Sequence, residues 1–239
     1  MKTSTILLLA TASLLVVVPV LYAVKLNGMI ERGEYTLYSE VQREPGQMID
    51  IQSFKHIEFR TANNVFIEIV QSDTVSLEKD KELELRIKQR GDTLFIEQKE
   101  EAMDFNQPTR LVRIQTPNLL KADITGIEVS ETTGTGNVQE IRRYHLPFEV
   151  RISGFSGERM ELNCAEGGVI HLKSNNFGNS QFFIGTGSVL NIEKNNRLDS
   201  LSLTTGKGGH INLQGATVER LTSSIHSESS LTVSGMEIK

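Results

Sequence analysis

The sequence contains no tryptophan and a single cysteine, and only 6% of its 239 residues are aromatic. One cysteine, Cys164, excludes an intrachain disulfide, and its place in an alternating apolar pattern predicts a buried, unreactive side chain. Lysine and arginine are dispersed and outnumbered by acidic residues, giving a net charge of −5, so no nucleic-acid partner is expected. The scarcity of aromatic residues also counts against a dedicated stacking site for sugars.

Long hydrophobic runs are absent except near the N-terminus, where residues 5–24 carry no charge and are rich in leucine, isoleucine and valine. As a helix this stretch would be about 30 Å long, the thickness of the hydrocarbon core of a bilayer. It predicts one N-terminal transmembrane helix, with the N-terminus inside and everything after Lys25 outside. A cleaved signal peptide, with Leu21-Tyr22-Ala23 as its cleavage site, is the alternative.

The chain is expected to have three parts: a membrane anchor (or signal peptide) over residues 1–24, a polar stalk over 25–50 and a β domain over 51–239. Charged residues interrupt any core-forming pattern in the stalk, and Pro45-Gly46 supplies a turn. Short segments with alternating apolar residues begin near Ile51. Between two of them, Gly91-Asp92 predicts a hairpin turn.

An apolar–polar–apolar triplet recurs every 20 to 21 residues through the last part of the chain. Its copies are Val150-Arg151-Ile152, Ile170-His171-Leu172, Leu190-Asn191-Ile192, Ile211-Asn212-Leu213 and Leu231-Thr232-Val233. Asparagine and glycine recur between the copies, as sharp corners require. Because a copy of this length cannot bury a core alone, the copies should pair as parallel strands over a shared core. The expected fold is all-β, a single-stranded parallel β-helix (β-solenoid) with ~20-residue rungs.

Three segments, together with the N-terminal hydrophobic stretch and Lys25…Gly33-x-Tyr35, carry a family resemblance. They are Phe54-Lys55-His56-Ile57-Glu58-Phe59, Asn64-Val65-Phe66-Ile67-Glu68-Ile69-Val70-Gln71-Ser72-Asp73 and Asp92-Thr93-Leu94-Phe95-Ile96. With them, the chain resembles the head GIN domain family of auto-transporter adhesins from the bacterial envelope. The resemblance implies a β-helical domain on a single-pass membrane protein, placed in the periplasm or on the cell surface. It implies no catalytic residues.

The outward positions of the repeat predict a ladder of polar side chains that could bind a ligand. The residues of this ladder are Arg151, His171, Asn191, Asn212 and Thr232, with Lys173 and Glu193 in the next outward positions. Glycoside cleavage usually needs two carboxylates. Glu193 is the one acidic residue among these positions, and a cross-strand ion pair with Lys173 explains it as well as catalysis does. No catalytic, cofactor or metal site is therefore predicted.

The asparagines of the repeat have two interpretations. Asn175 and Asn195 could stack as an internal ladder of amides, or they could supply left-handed corners, which the spacing favours. In the strand that follows each triplet, Leu162 and Cys164 should match Phe182 and Ile184. An insertion after residue 196 leaves open whether Leu201 or Leu203 is the inward residue there.

The predicted function is that of a non-enzymatic, membrane-anchored adhesin or scaffold that contacts an envelope protein or glycan through this ladder. One alternative is a carbohydrate-active enzyme with acidic residues in the loops around Glu97 to Asp104. Another is a structural subunit that self-associates through its C-terminal end, where Met236 and Ile238 follow the last triplet. In the latter case an exposed last layer would invite strand pairing.

Overall fold

The structure is a computed structural model that describes residues 46–61, 65–99, 109–126, 128–133, 140–145, 148–235 and 237–238. The predicted anchor, residues 1–24, lies outside the described residues, as do most of the predicted stalk and Met236. The described part of the chain contains no helix that is long and apolar enough to cross a membrane. The part from Pro45 to Lys239 forms one compact unit.

All regular elements of the described residues are β-strands. In chain order, β1 to β10 are Gln47–Ile49, His56–Thr61, Val65–Gln71, Ser76–Lys79, Leu85–Arg90, Thr93–Gln98, Arg110–Thr116, Lys121–Gly126, Glu128–Thr133 and Glu140–His145. The second ten, β11 to β20, are Phe148–Ser153, Ser156–Glu166, Gly168–Lys173, Asn176–Thr186, Val189–Ile192, Arg197–Thr205, His210–Gln214, Thr217–Ser224, Ser230–Ser234 and Glu237–Ile238.

These strands form two nine-stranded sheets and a separate antiparallel hairpin of β9 and β10. The order in the first sheet is β1-β4-β7-β3-β11-β13-β15-β17-β19, and the order in the second is β20-β18-β16-β14-β12-β8-β2-β6-β5. Both sheets are mixed: β1, β4 and β7 pair antiparallel in the first, and β5 and β6 pair antiparallel in the second. The remaining pairs are parallel.

The predicted fold class is therefore correct in being all-β but wrong as a single parallel β-helix. Successive strands of the repeat alternate between two mixed sheets. The antiparallel pairs within these two sheets come from strands before residue 117, where the sequence has no period that could indicate them. The hairpin turn predicted at Gly91-Asp92 is confirmed, because it connects the antiparallel pair β5 and β6.

The repeat does fix the strand register. Val150 is paired with Ile170, Ile170 with Leu190, Leu190 with Ile211 and Ile211 with Leu231 along the first sheet. In the second sheet Leu162 pairs with Phe182 and Cys164 with Ile184, as predicted.

Leu201 and Leu203, the two candidates for the inward residue of β16, are both buried. They occupy alternate positions of one strand, and both therefore point inward.

The apolar side chains of both sheets pack into one hydrophobic cluster. Short aliphatic residues from alternate strand positions fill most of it, and Phe54, Phe59, Phe155 and Phe177 are its largest fully buried members. Because the two sheets share this cluster, the polar residues between the inward positions point to the outside of each sheet.

The asparagines of the repeat serve both purposes that the sequence suggested. Asn195 adopts a left-handed backbone with a φ of 71°, and Gly215 takes the equivalent corner with a φ of 68°. Asn175, in contrast, is 1% exposed and donates from its Nδ2 to Oδ1 of buried Asn196 over 3.0 Å. The amide ladder therefore exists, but it joins Asn175 to Asn196 because one extra residue precedes this copy.

Candidate functional site

The predicted binding ladder lies on the outer face of the first sheet. Strand pairing aligns Arg151 with His171, His171 with Asn191, Asn191 with Asn212 and Asn212 with Thr232. The strand neighbours of the first four, such as Ile170 and Leu172, are buried, so these ladder residues point outward. The sequence therefore places these five residues in one row, with successive side chains about 4.8 Å apart.

The second part of the ladder is arranged differently from the prediction. Glu193 contacts His171, whose Nδ1 lies 3.2 Å from Glu193 Oε1, rather than Lys173. The other nitrogen of this ring, Nε2, lies 3.6 Å from Oε1 of Glu149. Lys173 is exposed. A half-buried histidine thus lies between two carboxylates on this face.

Two other members of the row contact each other, and a third contacts a phenylalanine ring beside the row. Asn212 Nδ2 donates to Asn191 Oδ1 over 2.8 Å, and the guanidinium of Arg151 lies 5.2 Å from the centre of the Phe66 ring. A phenyl ring attracts a cation through its electron-rich face, and Phe66 is only 6% exposed although it lies at an outward position. These contacts engage the half-buried side chains of the row. Lys173 and Thr232 are the exposed side chains of the ladder.

The sequence did not single out the outer face of the second sheet. Strand pairing there aligns six outward residues in one row, namely Phe95, Glu58, Asp123, Asn163, Phe183 and Thr204. Phe183 is 41% exposed, while its neighbours Phe182 and Ile184 are buried. The signal was present in the sequence: a phenylalanine occupies a position where the alternating pattern requires an outward side chain.

Each of the two phenylalanines lies in a shallow depression. One depression has a volume of about 220 Å³, and its lining includes Glu161, Asn163, Gln181, Phe183, Ser202 and Thr204. The other has a volume of about 270 Å³ and is lined by Glu58, Arg60, Phe95, Ile96 and Glu97. Carboxylate, amide and hydroxyl groups therefore surround the ring of Phe183, whereas two carboxylates and the guanidinium of Arg60 lie around Phe95.

The charges between the two depressions are largely paired. Lys121 Nζ lies 2.8 Å from Asp123 Oδ2, and Asn163 donates from Nδ2 to Asp123 Oδ1. The hydrogen bond with Asp123 raises the pKa of Lys121, and the nearby carboxylates of Glu161 and Glu58 act in the same direction. Lys121 therefore stays cationic at neutral pH and balances the acidic residues around it.

Other candidate groups on the described residues have structural explanations. Cys164 is buried in the core as predicted, and burial raises the pKa of its thiol. His171 and His210 lie in different phases of the repeat, since His171 pairs with Asn191 and His210 with Val189. The residues that the structure describes contain no group of three or more histidine, cysteine, aspartate and glutamate side chains suited to a metal ion.

The fold resembles that of solved bacterial proteins. A putative adhesin from Bacteroides fragilis NCTC 9343 superposes with a TM-score of 0.52 at 14% identity, over 82% of this chain and 95% of that protein. A putative adhesin from Parabacteroides merdae ATCC 43184 gives a TM-score of 0.46 at 14% identity, over 78% and 79% of the two chains. A putative lipid binding protein from Parabacteroides distasonis ATCC 8503 gives 0.37 at 15% identity, over 79% and 95%.

No family model and no curated protein matches the chain. At 14% identity, the likeness to the Bacteroides fragilis protein shows an adhesin-like fold and leaves the ligand open.

Proposed function

We propose that this protein is a non-enzymatic binding module of the bacterial cell envelope, and that it belongs to the head GIN domain family of auto-transporter adhesins that it resembles. The observation that carries the proposal is the alignment of outward polar residues, strand by strand, on the faces of two sheets that share one core. Such a frame holds many contact groups at fixed spacing and needs no reactive centre. The adhesin-like fold supports the same conclusion.

The proposal includes a location outside the cytoplasmic membrane. The uncharged stretch of residues 5–24 supports it, either as an anchor that remains in the membrane or as a signal that is removed. In cells with a permeabilised outer layer, added protease should degrade the domain while cytoplasmic proteins stay intact. A domain that remains protected until the inner membrane is broken would contradict this location.

The binding function is tested by capture from envelope extract on the immobilised full-length chain. A saturable protein or glycan should be retained, and retention should fall when Lys173 and Asn191 are both replaced by alanine on the ladder of the first sheet. Asp73→Asn is the matched control, because Asp73 is also exposed but is not part of the ladder. Equal retention by all three proteins would remove this ladder from the proposal, and no saturable retention would contradict binding altogether.

An assay for reducing ends tests the non-enzymatic part of the proposal. Oligosaccharides incubated with the purified chain should show no new reducing ends over the background of buffer alone. Release of reducing ends that scales with protein concentration would contradict it, and would support the enzyme alternative instead.

A further inference from the structure

The outer row of the second sheet has two phenyl rings and polar groups between them. Phe95 on β6 and Phe183 on β14 occupy the same row, and the row passes from one to the other through Glu58, Asp123 and Asn163. Four strand spacings of about 4.8 Å separate the two rings, a distance of about 19 Å. A ligand that touches both rings must therefore be extended and must run across the strands.

The chemistry of the row selects the kind of ligand. A sugar ring has an apolar face of C–H groups, which packs on the electron-rich face of a phenyl ring, and a rim of hydroxyl groups that donate and accept hydrogen bonds. Carboxylate oxygens accept from hydroxyls, and both depressions have them next to the ring; the depression at Phe183 adds amide and hydroxyl groups. Two stacking rings with hydrogen-bonding groups between them, at regular spacing, match a chain of linked sugars.

The charged side chains in and beside the row indicate the net charge of the ligand. Asp123 is paired with Lys121, Glu161 with Arg159, and Glu97 with Arg86 at 3.7 Å. The two charged members of the row, Glu58 and Asp123, are carboxylates, so they would repel a strongly anionic polysaccharide. The carboxylates that are already paired with lysine or arginine attract a cationic peptide less strongly. A neutral ligand depends on neither charge.

Volume and depth agree with an extended chain on an open surface. Each depression, at about 220 and 270 Å³, is smaller than the 300–1,000 Å³ typical of sites that enclose a whole drug-sized molecule. Each can therefore seat one unit of a longer ligand, while the intervening units cross the exposed strands between them.

We propose that the outer row from Phe95 to Phe183 binds an extended, neutral oligosaccharide chain, with one sugar stacked on each ring. This inference rests on the proposed binding function but assigns it to a different face from the predicted ladder. The absence of tryptophan from the sequence is no obstacle, because the row places two of the ten phenylalanines on the outer face of the sheet.

The test uses the full 239-residue chain, in a detergent without a sugar head group, on an array of linear neutral oligosaccharides of graded length. The wild-type protein should bind at least one series. Phe183→Ala and Phe95→Ala should each weaken binding of long oligosaccharides about tenfold, and the double variant should weaken it about a hundredfold. Phe183→Tyr keeps the ring and should restore binding.

Length provides a second measurement that a merely structural role would not change. Oligosaccharides too short to span about 19 Å reach one ring only, so they should respond to one of the two substitutions and not to both. Asp73→Asn, at an exposed residue outside both the row and the ladder, is the control variant, and thermal unfolding of every variant checks that the fold is intact.

Three results would overturn the inference. Binding that is unchanged in both phenylalanine variants but lost when Lys173 and Asn191 are replaced would keep the binding function and place it on the first sheet. Absence of oligosaccharide binding, with a protein still captured from envelope extract, would also keep the function and reject the glycan. Absence of both would reject the inference and the proposed function together.

Discussion

The amide ladder inside the repeat provides a quantitative prediction, tested by the substitution Asn175→Ala. Asn175 Oδ1 accepts from the backbone N–H of buried Phe155 over 3.0 Å, and its Nδ2 donates to Ile152 O and to Asn196 Oδ1, each over 3.0 Å. Truncation leaves a buried N–H without its acceptor, at a cost of about 1–3 kcal/mol. Loss of the two donated bonds adds about 1 kcal/mol. We expect the free energy of unfolding to fall by about 2–4 kcal/mol.

For a domain of this size, the expected loss lowers the midpoint of thermal unfolding by roughly 4–16 °C. Far-ultraviolet circular dichroism during heating and in urea measures it, and an unchanged urea slope would show that stability alone has changed. Asn176→Ala is the matched control, because the neighbouring asparagine is exposed, and it should shift stability by less than about 0.5 kcal/mol. If the two variants unfold alike, the ladder does not stabilise the fold and the reasoning is wrong.

Three further predictions concern the strands around this buried amide ladder. Ser180→Ala should leave stability unchanged or raise it by up to about 1 kcal/mol in urea unfolding, because Ser180 Oγ is buried without a hydrogen-bond partner; a clear loss would reveal a partner. Gly185→Ala should lower the free energy of unfolding by more than about 3 kcal/mol or prevent folding, since the new Cβ would lie 1.8 Å from Ala165 O. Gly157→Ala is the control and should fold normally, because its Cβ would meet only the Phe177 ring at 3.9 Å. Cys164 should react with a thiol reagent only after unfolding, because burial raises the pKa of its thiol; rapid labelling of the folded protein at neutral pH would contradict its placement in the core.

The sequence predicted the residue pairing of the repeat because its signal is local and periodic. The alternation in Val150-Arg151-Ile152 decides which side chains are inward, and the constant spacing to Ile170 decides the partner. Both follow from strand geometry alone. The same reasoning placed Arg151, His171 and Asn191 in one row, and the strand register confirms that row although their binding role remains a proposal.

The number and direction of the sheets were beyond the reach of this signal. The period of about twenty residues is equally compatible with one sheet or two, because it gives the pairing between copies and not the packing within a copy. The antiparallel partners Leu77 and Ile114 lie in segments without a period, and only the folded chain brings them together. The contact between Glu193 and His171 was not predicted for a similar reason. His171 contacts Glu193 diagonally, and not at the position directly opposite on the neighbouring strand.

The site around Phe183 was missed because exposure is a property of the assembled sheet. Alternation indicates that Phe183 points away from the core, but it does not show that a depression lined by Gln181 and Thr204 surrounds the ring. Nor does it show that Phe95, almost ninety positions earlier in the sequence, lies on the same row. That juxtaposition depends on parallel pairing of β2, β8 and β12, which connects distant parts of the chain.

Photo-crosslinking in the cells that make the protein is the most direct test of whether outward residues of this domain bind an envelope component. A photoreactive phenylalanine analogue would replace Phe183, with the same analogue at Asn191 on the other sheet and at exposed Asp73 as the reference position. The account predicts a crosslinked product of higher mass from position 183 or 191 and none from position 73. Identical patterns from all three positions, or no product from any of them, would contradict it.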